Sequence, residues 1–556
     1  MKKTLLSTLI VALLLGLMGA TAARADSPDA KKPLAVVSIS GYDEIKGDVN
    51  MIGELAGRAN VVAQFEAILN LFTANQGLAG LDKKRPLGVV VHLDGEQPGG
   101  YAFVPVTDMG KLIAVVKPFA SEMKTHDGGV YEFPTPEKPL FVQKQGNWAV
   151  ICDSREALAD APKAPGKLLA RLAKDYDLAV RMNVCNIPAK QRQAAIDGLK
   201  SEAEKQAPQR DGEDDQMYAV RKMVTDRALK CLTSAVNEIE QVTLGWSIDG
   251  KAKKTLLEIS ATALPGSSIA KALAKTPDPK TSFAGFLLPG AAVTGNCTLQ
   301  CPQKINADDV GNVFDVIRTQ AFKGIDAKES GEKAEAIKKI VGGLLDVTEE
   351  TIATGRADGA FAVMLKPDAA TILGGRFVAD GPKLESALAL AVKAIRKEHP
   401  EMVKKMLTTN ADSYKDIDFH VLSIPIPEDA DDRDKAVKLV GEKVEAVLGI
   451  GPQAVYGAVG KDALKTLKQA IKASEGTKKV APMELTISAT EIARFIASVA
   501  DGPEKQAAEK ALAVLEESSG NDNIRLIVEP IARGAKLRLE VEEAILRTIA
   551  KASQQK

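Results

Sequence analysis

The sequence predicts an α+β protein of two tandem homologous halves, each a mainly antiparallel sheet with helices packed on one face. Residues 106–112 (Val-Thr-Asp-Met-Gly-Lys-Leu) are echoed by residues 378–384 (Val-Ala-Asp-Gly-Pro-Lys-Leu), 272 positions later. An internal repeat of this kind determines architecture before any local pattern does. Apolar and polar residues alternate with period two in residues 254–264, which is typical of a half-buried strand in an antiparallel sheet.

The echo continues along the chain in a fixed order. The offset changes only between blocks, as loop insertions and deletions would make it. Chance similarity of two generic α+β domains is the alternative. The further matches are 88–94 with 360–366 at an offset of 272, Ala149-Val150 with Ala454-Val455 and 180–184 with 485–489 at 305, and 242–244 with 524–526 and 257–259 with 539–541 at 282.

Prolines and turn signals divide the predicted halves. Thr276-Pro-Asp-Pro279 carries two prolines that discourage regular structure, so we expect the halves to span 26–278 and 279–556. Asp249-Gly250 and Arg533-Gly534 each precede an alternating run and predict a closing hairpin. Helices are predicted at 52–72, 191–205, 216–239, 308–322, 332–345, 384–398, 432–448 and 503–517.

The first 25 residues have the pattern of a secretory signal peptide. Lys2 and Lys3 precede an apolar or small run at 5–18, and Ala23-Arg-Ala25 follows. A basic start, an apolar stretch of this length and small residues before the cleavage point predict cleavage after Ala25. A membrane anchor would need about 20 apolar residues. We expect a soluble mature chain in the periplasm or outside the cell, without an integral membrane segment.

Charge and composition narrow the classes of partner. The chain has 73 basic and 73 acidic residues, and cleavage removes three basic residues and no acid. A near-neutral chain has no global field to gather nucleic acid, so no nucleic-acid partner is expected. Aromatic residues make up 4% of the chain, with Trp148 and Trp246 as its two tryptophans. Surfaces that stack sugars or bases are therefore not expected.

No sequence motif predicts a cofactor. Gly449-Ile-Gly451 resembles a dinucleotide fingerprint, but the fingerprint requires a strand before the glycines and a helix after them. The predicted order here is helix, glycines, strand, so we interpret the glycines as a helix C-cap. Residues 457–461 lack the P-loop spacing, and neither G-x-S-x-G nor H-E-x-x-H occurs. Catalytic residues stay unknown, because members of a dispersed triad need only converge in space.

Histidines and acidic clusters do not predict a metal site. The four histidines have no second histidine within five residues. The clusters at 211–215 and 428–434 lack the ligand spacing of a calcium loop and are interpreted as solvated surface. The histidines are His92, His126, His399 and His420.

Two of the five cysteines are candidates for a disulfide. An odd number leaves at least one thiol free or bonded between chains. We hypothesise a bridge between Cys185 and Cys231, which would join a strand to a helix packed on it. The alternative is that these thiols are buried and behave as small apolar side chains.

Two segments carry a resemblance. Residues 265–270 (Pro-Gly-Ser-Ser-Ile-Ala), before 283–289 (Phe-Ala-Gly-Phe-Leu-Leu-Pro), follow a signal peptide in a chain of modest aromatic content. In this the chain resembles large uncharacterised exported proteins of planctomycete-type bacteria. The resemblance carries no active-site motif and implies no site residues.

These observations predict an exported protein that binds or scaffolds and has no catalytic activity. A cleft lined by Ala, Val and Leu would suit an apolar ligand or a protein segment better than a sugar. Two alternatives stay open. One is a periplasmic carrier of an apolar ligand or lipoprotein, and the other is a hydrolase or peptidase-like enzyme with dispersed site residues.

Overall fold

The computed structural model describes residues 32–554 except 56, 59, 95–96, 120–121, 137, 206, 276–277, 302–306 and 519. The predicted signal peptide and its cleavage point at Ala25 lie outside the described residues, as do Thr276 and Pro277 of the predicted junction. The chain is 45% helical and 31% strand, with a large antiparallel sheet. The α+β class and the mainly antiparallel pairing are confirmed.

The chain forms two compact units, each assembled from non-consecutive stretches. Unit 1 contains the described residues up to Ala194, with Val236–Leu264 and the residues from Glu540 onward. Unit 2 contains Ala195–Ala235 and Pro265–Leu539. The consecutive halves expected from the sequence, 26–278 and 279–556, stay a prediction.

Ten strands of unit 1 form one antiparallel ladder. Its spatial order is β4-β5-β6-β7-β3-β2-β1-β8-β9-β10. The strands are β1 (Pro33–Ile39), β2 (Leu87–Asp94), β3 (Gln97–Pro105), β4 (Lys124–His126), β5 (Val130–Phe133), β6 (Leu140–Gln145), β7 (Trp148–Cys152), β8 (Leu178–Met182), β9 (Ile239–Asp249) and β10 (Lys254–Ala263).

Unit 2 has a ladder of the same order. Its strands run β15-β16-β17-β18-β14-β13-β12-β20-β21, and β11 pairs separately with β19. The strands are β11 (Lys280–Thr281), β12 (Val293–Gln300), β13 (Arg356–Lys366), β14 (Ala369–Phe377), β15 (Leu407–Tyr414), β16 (Ile417–Pro425), β17 (Lys443–Gly451), β18 (Ala454–Gly460), β19 (Lys478–Lys479), β20 (Met483–Ser488), β21 (Asn523–Ile531) and β22 (Gly534–Glu542), whose last three residues belong to unit 1.

The helices fall at equivalent points of the two strand sequences. A helix pair follows β1 and another follows β12, and likewise after β8 and β20. The helices are α1 (Tyr42–Leu55), α2 (Val61–Phe72), α3 (Met109–Val116), α4 (Pro165–Ala173), α5 (Ala189–Lys205), α6 (Asp215–Glu238), α7 (Ser268–Lys275), α8 (Ala307–Asp326), α9 (Gly331–Ala353), α10 (Gly381–Glu398), α11 (Pro400–Met406), α12 (Arg433–Val440), α13 (Ala463–Ala473), α14 (Ala489–Val499), α15 (Gly502–Glu516) and α16 (Glu543–Gln554).

Two predicted helices need correction. The segment 52–72 is divided between α1 and α2. The segment 432–448 is helical only as far as Val440, because Gly441 has φ of +87° and ends α12. Strand β17 begins at Lys443, so Gly449 and Gly451 lie at the end of a strand. The interpretation of these glycines as a helix C-cap is wrong.

The echoed segments make the same contacts in both units. The carboxylate of Asp108 accepts a hydrogen bond from the backbone N–H of Lys111 at 3.1 Å, which caps α3. Asp380 accepts from the N–H of Lys383 at 2.9 Å and caps α10. The N–H of Val106 donates to the carbonyl of Asn147, and that of Val378 to the carbonyl of Gln453. Each segment is therefore a strand exit followed by a capped helix.

Unit 1 buries both faces of its sheet, so helices on one face only is a wrong expectation for this unit. Trp148 and Val150 pack with Leu169 and Leu172 of α4. Ala149 lies between them on β7 and packs with Met109 and Ile113 of α3. Successive strand residues point to opposite faces, so α3 and α4 cover opposite sides.

The main core of unit 2 lies on one face of its sheet. Ala360, Leu373 and Ala458 pack with Leu467 of α13 and with Phe286 of the loop before β12. The other face carries the site described below. No helix among the described residues is long and apolar enough to cross a membrane.

Candidate functional site

Glycines line a row across the sheet of unit 2. Gly295 of β12 pairs with Phe361 of β13, and Phe361 pairs with Gly374 of β14. Gly374 then pairs with Gly457 of β18. Partners in register point to the same face of a sheet, so the sheet surface on both sides of Phe361 has no side chain. We call this row, with the space above it, the groove.

The ring of Phe361 lies over one of these glycines. A Cβ placed on Gly295 would come within 2.5 Å of Cε1 of Phe361. Phe361 is nevertheless 41% exposed, because the ring lies along the groove rather than in the core. An exposed aromatic ring that rests on a glycine is available for contact with apolar groups.

Leucines close the two ends of the glycine row. Leu448 of β17 pairs with Gly457 at one end, and Leu485 of β20 pairs with Gly295 at the other. Leu526 of β21 pairs in turn with Leu485. The cavity that these residues line has a volume of about 940 Å³. Ligand pockets in proteins run from roughly 300 to 1,000 Å³, so a lipid-sized molecule would fit.

A second row runs beside the first, two residues along each strand. Met483, Cys297 and Gly359 are successive partners across β20, β12 and β13. Gly359 pairs with Arg376, and Arg376 pairs with Val455. The two rows together form an apolar surface that carries one charged side chain.

The other charged residues that line the cavity are already paired. Arg356 donates to Asp358 at 2.8 Å. Asp358 also accepts from the hydroxyl of Thr281 at 2.7 Å. Glu484 accepts from Arg525 at 2.9 Å. The guanidinium of Arg376 makes no ion pair or hydrogen bond with any residue that the structure describes.

The predicted disulfide partners lie in different elements of the structure. Cys185 is half-buried in the turn after β8, and Cys231 is exposed on α6. The bridge between them stays a prediction. A disulfide-linked peptide in non-reducing peptide mapping would support it, and alkylation of Cys231 in the untreated native chain would remove it.

The cysteine that lies in the cavity is Cys297. It is half-buried on β12, and burial, followed by the nearby charge of Asp358, raises the pKa of its thiol. A thiol whose pKa is raised is a poor nucleophile at neutral pH. Cys297 is therefore suited to be an apolar wall of the groove.

Each of the four histidines has a structural contact. His92 stacks on Tyr101 with ring centroids 4.9 Å apart. His126 contacts Glu132 at 2.6 Å. His420 accepts a hydrogen bond at Nδ1 from the N–H of Asn410, and its Nε2 lies 3.1 Å from a carboxylate oxygen of Glu385. His399 ends α10.

The acidic cluster at 211–215 lies in the connection between α5 and α6, and the cluster at 428–434 follows β16 and runs into α12. In the first cluster Arg221 donates two hydrogen bonds to Glu213, each of 2.8 Å. Those hydrogen bonds lower the pKa of Glu213 to about 2. Asp214 contacts Lys323 and Gln320 of α8, so this cluster is partly paired rather than merely solvated. No group of three His, Cys, Asp or Glu side chains within the described ranges could hold a metal ion.

Sequence reasoning missed the groove, although one signal for it was present. Gly374 and Gly375 were visible as a pair at the end of a strand run. Glycine in a strand interior marks a bulge or a close approach of another group. The row itself depends on the register of four strands, which no local pattern gives.

Comparisons with protein-family models, with curated proteins and with solved structures each find no match to this chain. The resemblance to exported proteins of planctomycete-type bacteria therefore stays a prediction.

Proposed function

We propose that this chain is an exported tandem duplication whose second copy binds an apolar ligand in the groove. Comparison of the two copies identifies the surface that differs between them. The export signal implies that the protein binds its ligand outside the cytosol. The groove is the proposed binding site.

Strand register supports the duplication. The sequence echo aligns Val89 with Phe361 at the offset of 272. From this one pair, the ladders through β1 and β12 align Val180 with Leu485, which are 305 positions apart. The next ladder aligns Leu244 with Leu526, which are 282 positions apart. Both offsets equal those of the sequence echo.

One of the sequence matches is displaced by a residue. Continuing the same alignment through β3 and β14 pairs Trp148 with Ala454, whereas the sequence comparison pairs Ala149 with Ala454. The offset is therefore 306 between β7 and β18, whereas it is 305 between β8 and β20. A single-residue change in the intervening loop accounts for the difference.

The groove is the place where the two copies differ. Gly295, Gly374 and Gly457 align with Val37, Ala102 and Ile151 of unit 1. In unit 1 this surface is filled, and Ile151 packs on the cluster formed with α3. Loss of these side chains in the second copy opens the groove.

The single observation that carries the proposal is the row of three glycines and one exposed phenylalanine, whose ring rests on Gly295. Exposing Phe361 costs free energy of about 25 cal/mol per Å² of apolar surface. An apolar ligand that covered the ring and the leucines would recover it. The N-terminal signal sequence supports a location in the periplasm or outside the cell, where apolar molecules need carriers.

Titration with a neutral fluorescent probe, N-phenyl-1-naphthylamine, tests the function. We expect saturable binding to the purified protein, and Gly457→Val is expected to weaken it at least tenfold, or by about 1.4 kcal/mol. A Cβ on Gly457 meets no atom nearer than the carbonyl oxygen of Val447 at 3.9 Å. The new side chain should therefore fill the groove without disturbing the fold.

Val459→Leu is the matched control. Val459 lies two residues further along β18 on the same face and is 46% exposed, but it does not line the cavity. Its substitution should leave probe binding unchanged. Equal binding by the original protein and Gly457→Val would contradict the proposal.

A scaffold is the second candidate, favoured by one surface of unit 1. Val180, Leu244 and Ile259 form a row of register partners across β8, β9 and β10, and each is more than a third exposed. An apolar sheet surface of this kind is typical of a protein interface. Co-purification of an envelope protein that is lost on Leu244→Lys would support this function instead.

A further inference from the structure

We propose that the ligand of the groove is a long-chain carboxylate, with its alkyl chain over Phe361 and its carboxylate on Arg376. This inference rests on the proposed function and adds the chemical class of the ligand. It is carried by the one charged side chain of the groove surface that has no partner among the described residues.

Arg376 is placed to reach a ligand in the groove. It lies on β14, two residues from Gly374, and its side chain points to the same face. Its partner on one side is Gly359, which has no side chain, and on the other side Val455. Arg376 is exposed, so its side chain is accessible to a ligand that lies on the glycine row.

The surroundings of Arg376 favour an anionic partner. Guanidinium stays charged at every physiological pH, so a neutral ligand that covered it would bury an unpaired charge. Carboxylate accepts two parallel hydrogen bonds from a guanidinium. Ion pairs are stronger where apolar groups exclude water, as Met483, Val455 and Phe361 would do around a bound chain.

The other charges near the cavity do not oppose this assignment. Asp358 and Glu484 line it, but each is paired with an arginine. Repulsion of an incoming carboxylate is therefore reduced at both positions. Arg376 alone is left to determine the sign of charge that the groove prefers.

The corresponding position in the first copy has no charge. Arg376 aligns with Val104 at the offset of 272, and Val104 packs against the cluster of Val106, Met109 and Ile113. The arginine is therefore found in the copy with the open groove, and a valine is found in the copy where that surface is filled. This pairing of cavity and charge points to one amphiphilic ligand.

Competition between two chains of equal length tests the inference. Palmitate and hexadecanol would each be titrated at pH 8 against the neutral probe bound to the purified protein. We expect palmitate to displace the probe at a concentration roughly tenfold lower than hexadecanol. Arg376→Gln should abolish the difference by weakening palmitate relative to hexadecanol, with both measured against the probe affinity of the same variant.

Two further variants act as controls. Lys366→Gln removes one positive charge from an exposed position on β13 of the same sheet, outside the cavity lining, and should keep the preference for palmitate. Arg376→Lys retains the charge and should keep most of the preference for palmitate. Circular dichroism of each variant would establish that it is folded.

The outcomes separate the two proposals. If the probe does not bind, the proposed function fails. If the probe binds but neither palmitate nor hexadecanol displaces it, the assignment to a long-chain ligand is overturned. If both displace it equally from the original protein, the groove binds apolar ligands and only the assignment to a carboxylate is overturned. If Lys366→Gln loses the preference as fully as Arg376→Gln, general surface charge explains the effect and the assignment to Arg376 is overturned.

Discussion

Phe361 and Gly295 are register partners on neighbouring strands, and the ring of the first covers the backbone of the second. The contact needs a residue without a side chain beneath the ring. It also holds the ring along the sheet, where it remains 41% exposed. Groove shape and strand packing thus depend on the same pair.

Gly295→Ala should displace the ring of Phe361. The added methyl group would lie 2.5 Å from Cε1, and forcing a group into a packed contact costs about 1–3 kcal/mol. Urea unfolding would measure the loss. In the Phe361→Ala background the same substitution should cost clearly less, because the clash is gone. Equal costs in both backgrounds would show that the ring does not rest on the glycine.

Asp48 of α1 should make the stability of unit 1 depend on pH. Burial, with the charge and hydrogen bond of Asp177, raises the pKa of Asp48 to about 7. Asp177 itself accepts from the N–H of Ile248 at 2.7 Å. The folded state therefore holds a proton that the unfolded state has released above its ordinary pKa of 3.8.

This difference fixes the sign of the effect. Between about pH 4 and pH 7 the folded state binds more protons, so the contribution is present at low pH and lost as pH rises through 7. Asp48→Asn cannot titrate and should flatten the slope. It should raise the free energy of unfolding at pH 8 by ~1 kcal/mol. The effect is small because the carboxyl group is partly exposed and solvent screens its charge. Thermal melts at pH 5 and 8 that shift equally in both proteins would contradict the assignment.

Removal of either repeated helix cap should have the same cost. Asp108→Ala and Asp380→Ala each delete a side-chain hydrogen bond at the start of a helix, which is worth about 1 kcal/mol. Ser330→Ala is the control, because Ser330 begins α9 without a side-chain cap bond. Urea unfolding should find the control near zero, and a control as costly as the two aspartates would remove the capping role.

Cys152 should resist alkylation in the folded protein. Its side chain is fully buried, and burial raises the pKa of its thiol to about 11. Cys301 is exposed and should react first with iodoacetamide at pH 8, because the thiolate is the reactive form. Peptide mass spectrometry after a short exposure would measure both. Modification of Cys152 at the rate of Cys301 would contradict its burial.

Local patterns predicted the helices well where the spacing of apolar residues and the helix-capping residues indicated the same boundaries. Residues 216–239 and 384–398 are helical nearly as expected, as α6 and α10. The error at 432–448 arose because Val444, Ala446 and Leu448 alternate within a run whose apolar spacing also fits a helix. Gly441 decides between the two, and its φ of +87° ends the helix at Val440, eight residues before the predicted end.

The groove could not be predicted in the same way. Gly295, Gly374 and Gly457 lie far apart in sequence, and only the ladder of β12, β13, β14 and β18 brings them into one row. Arg376 is likewise unremarkable in sequence. Its importance comes from neighbours on two adjacent strands that carry no charge.

Photo-cross-linking with a diazirine-bearing palmitate is the most direct test of the central claim. We expect labelled peptides from β12, β13, β14 and β18, loss of that labelling in Gly457→Val, and competition by unlabelled palmitate. Labelling confined to unit 1, or labelling of the groove strands that Gly457→Val leaves intact, would contradict it.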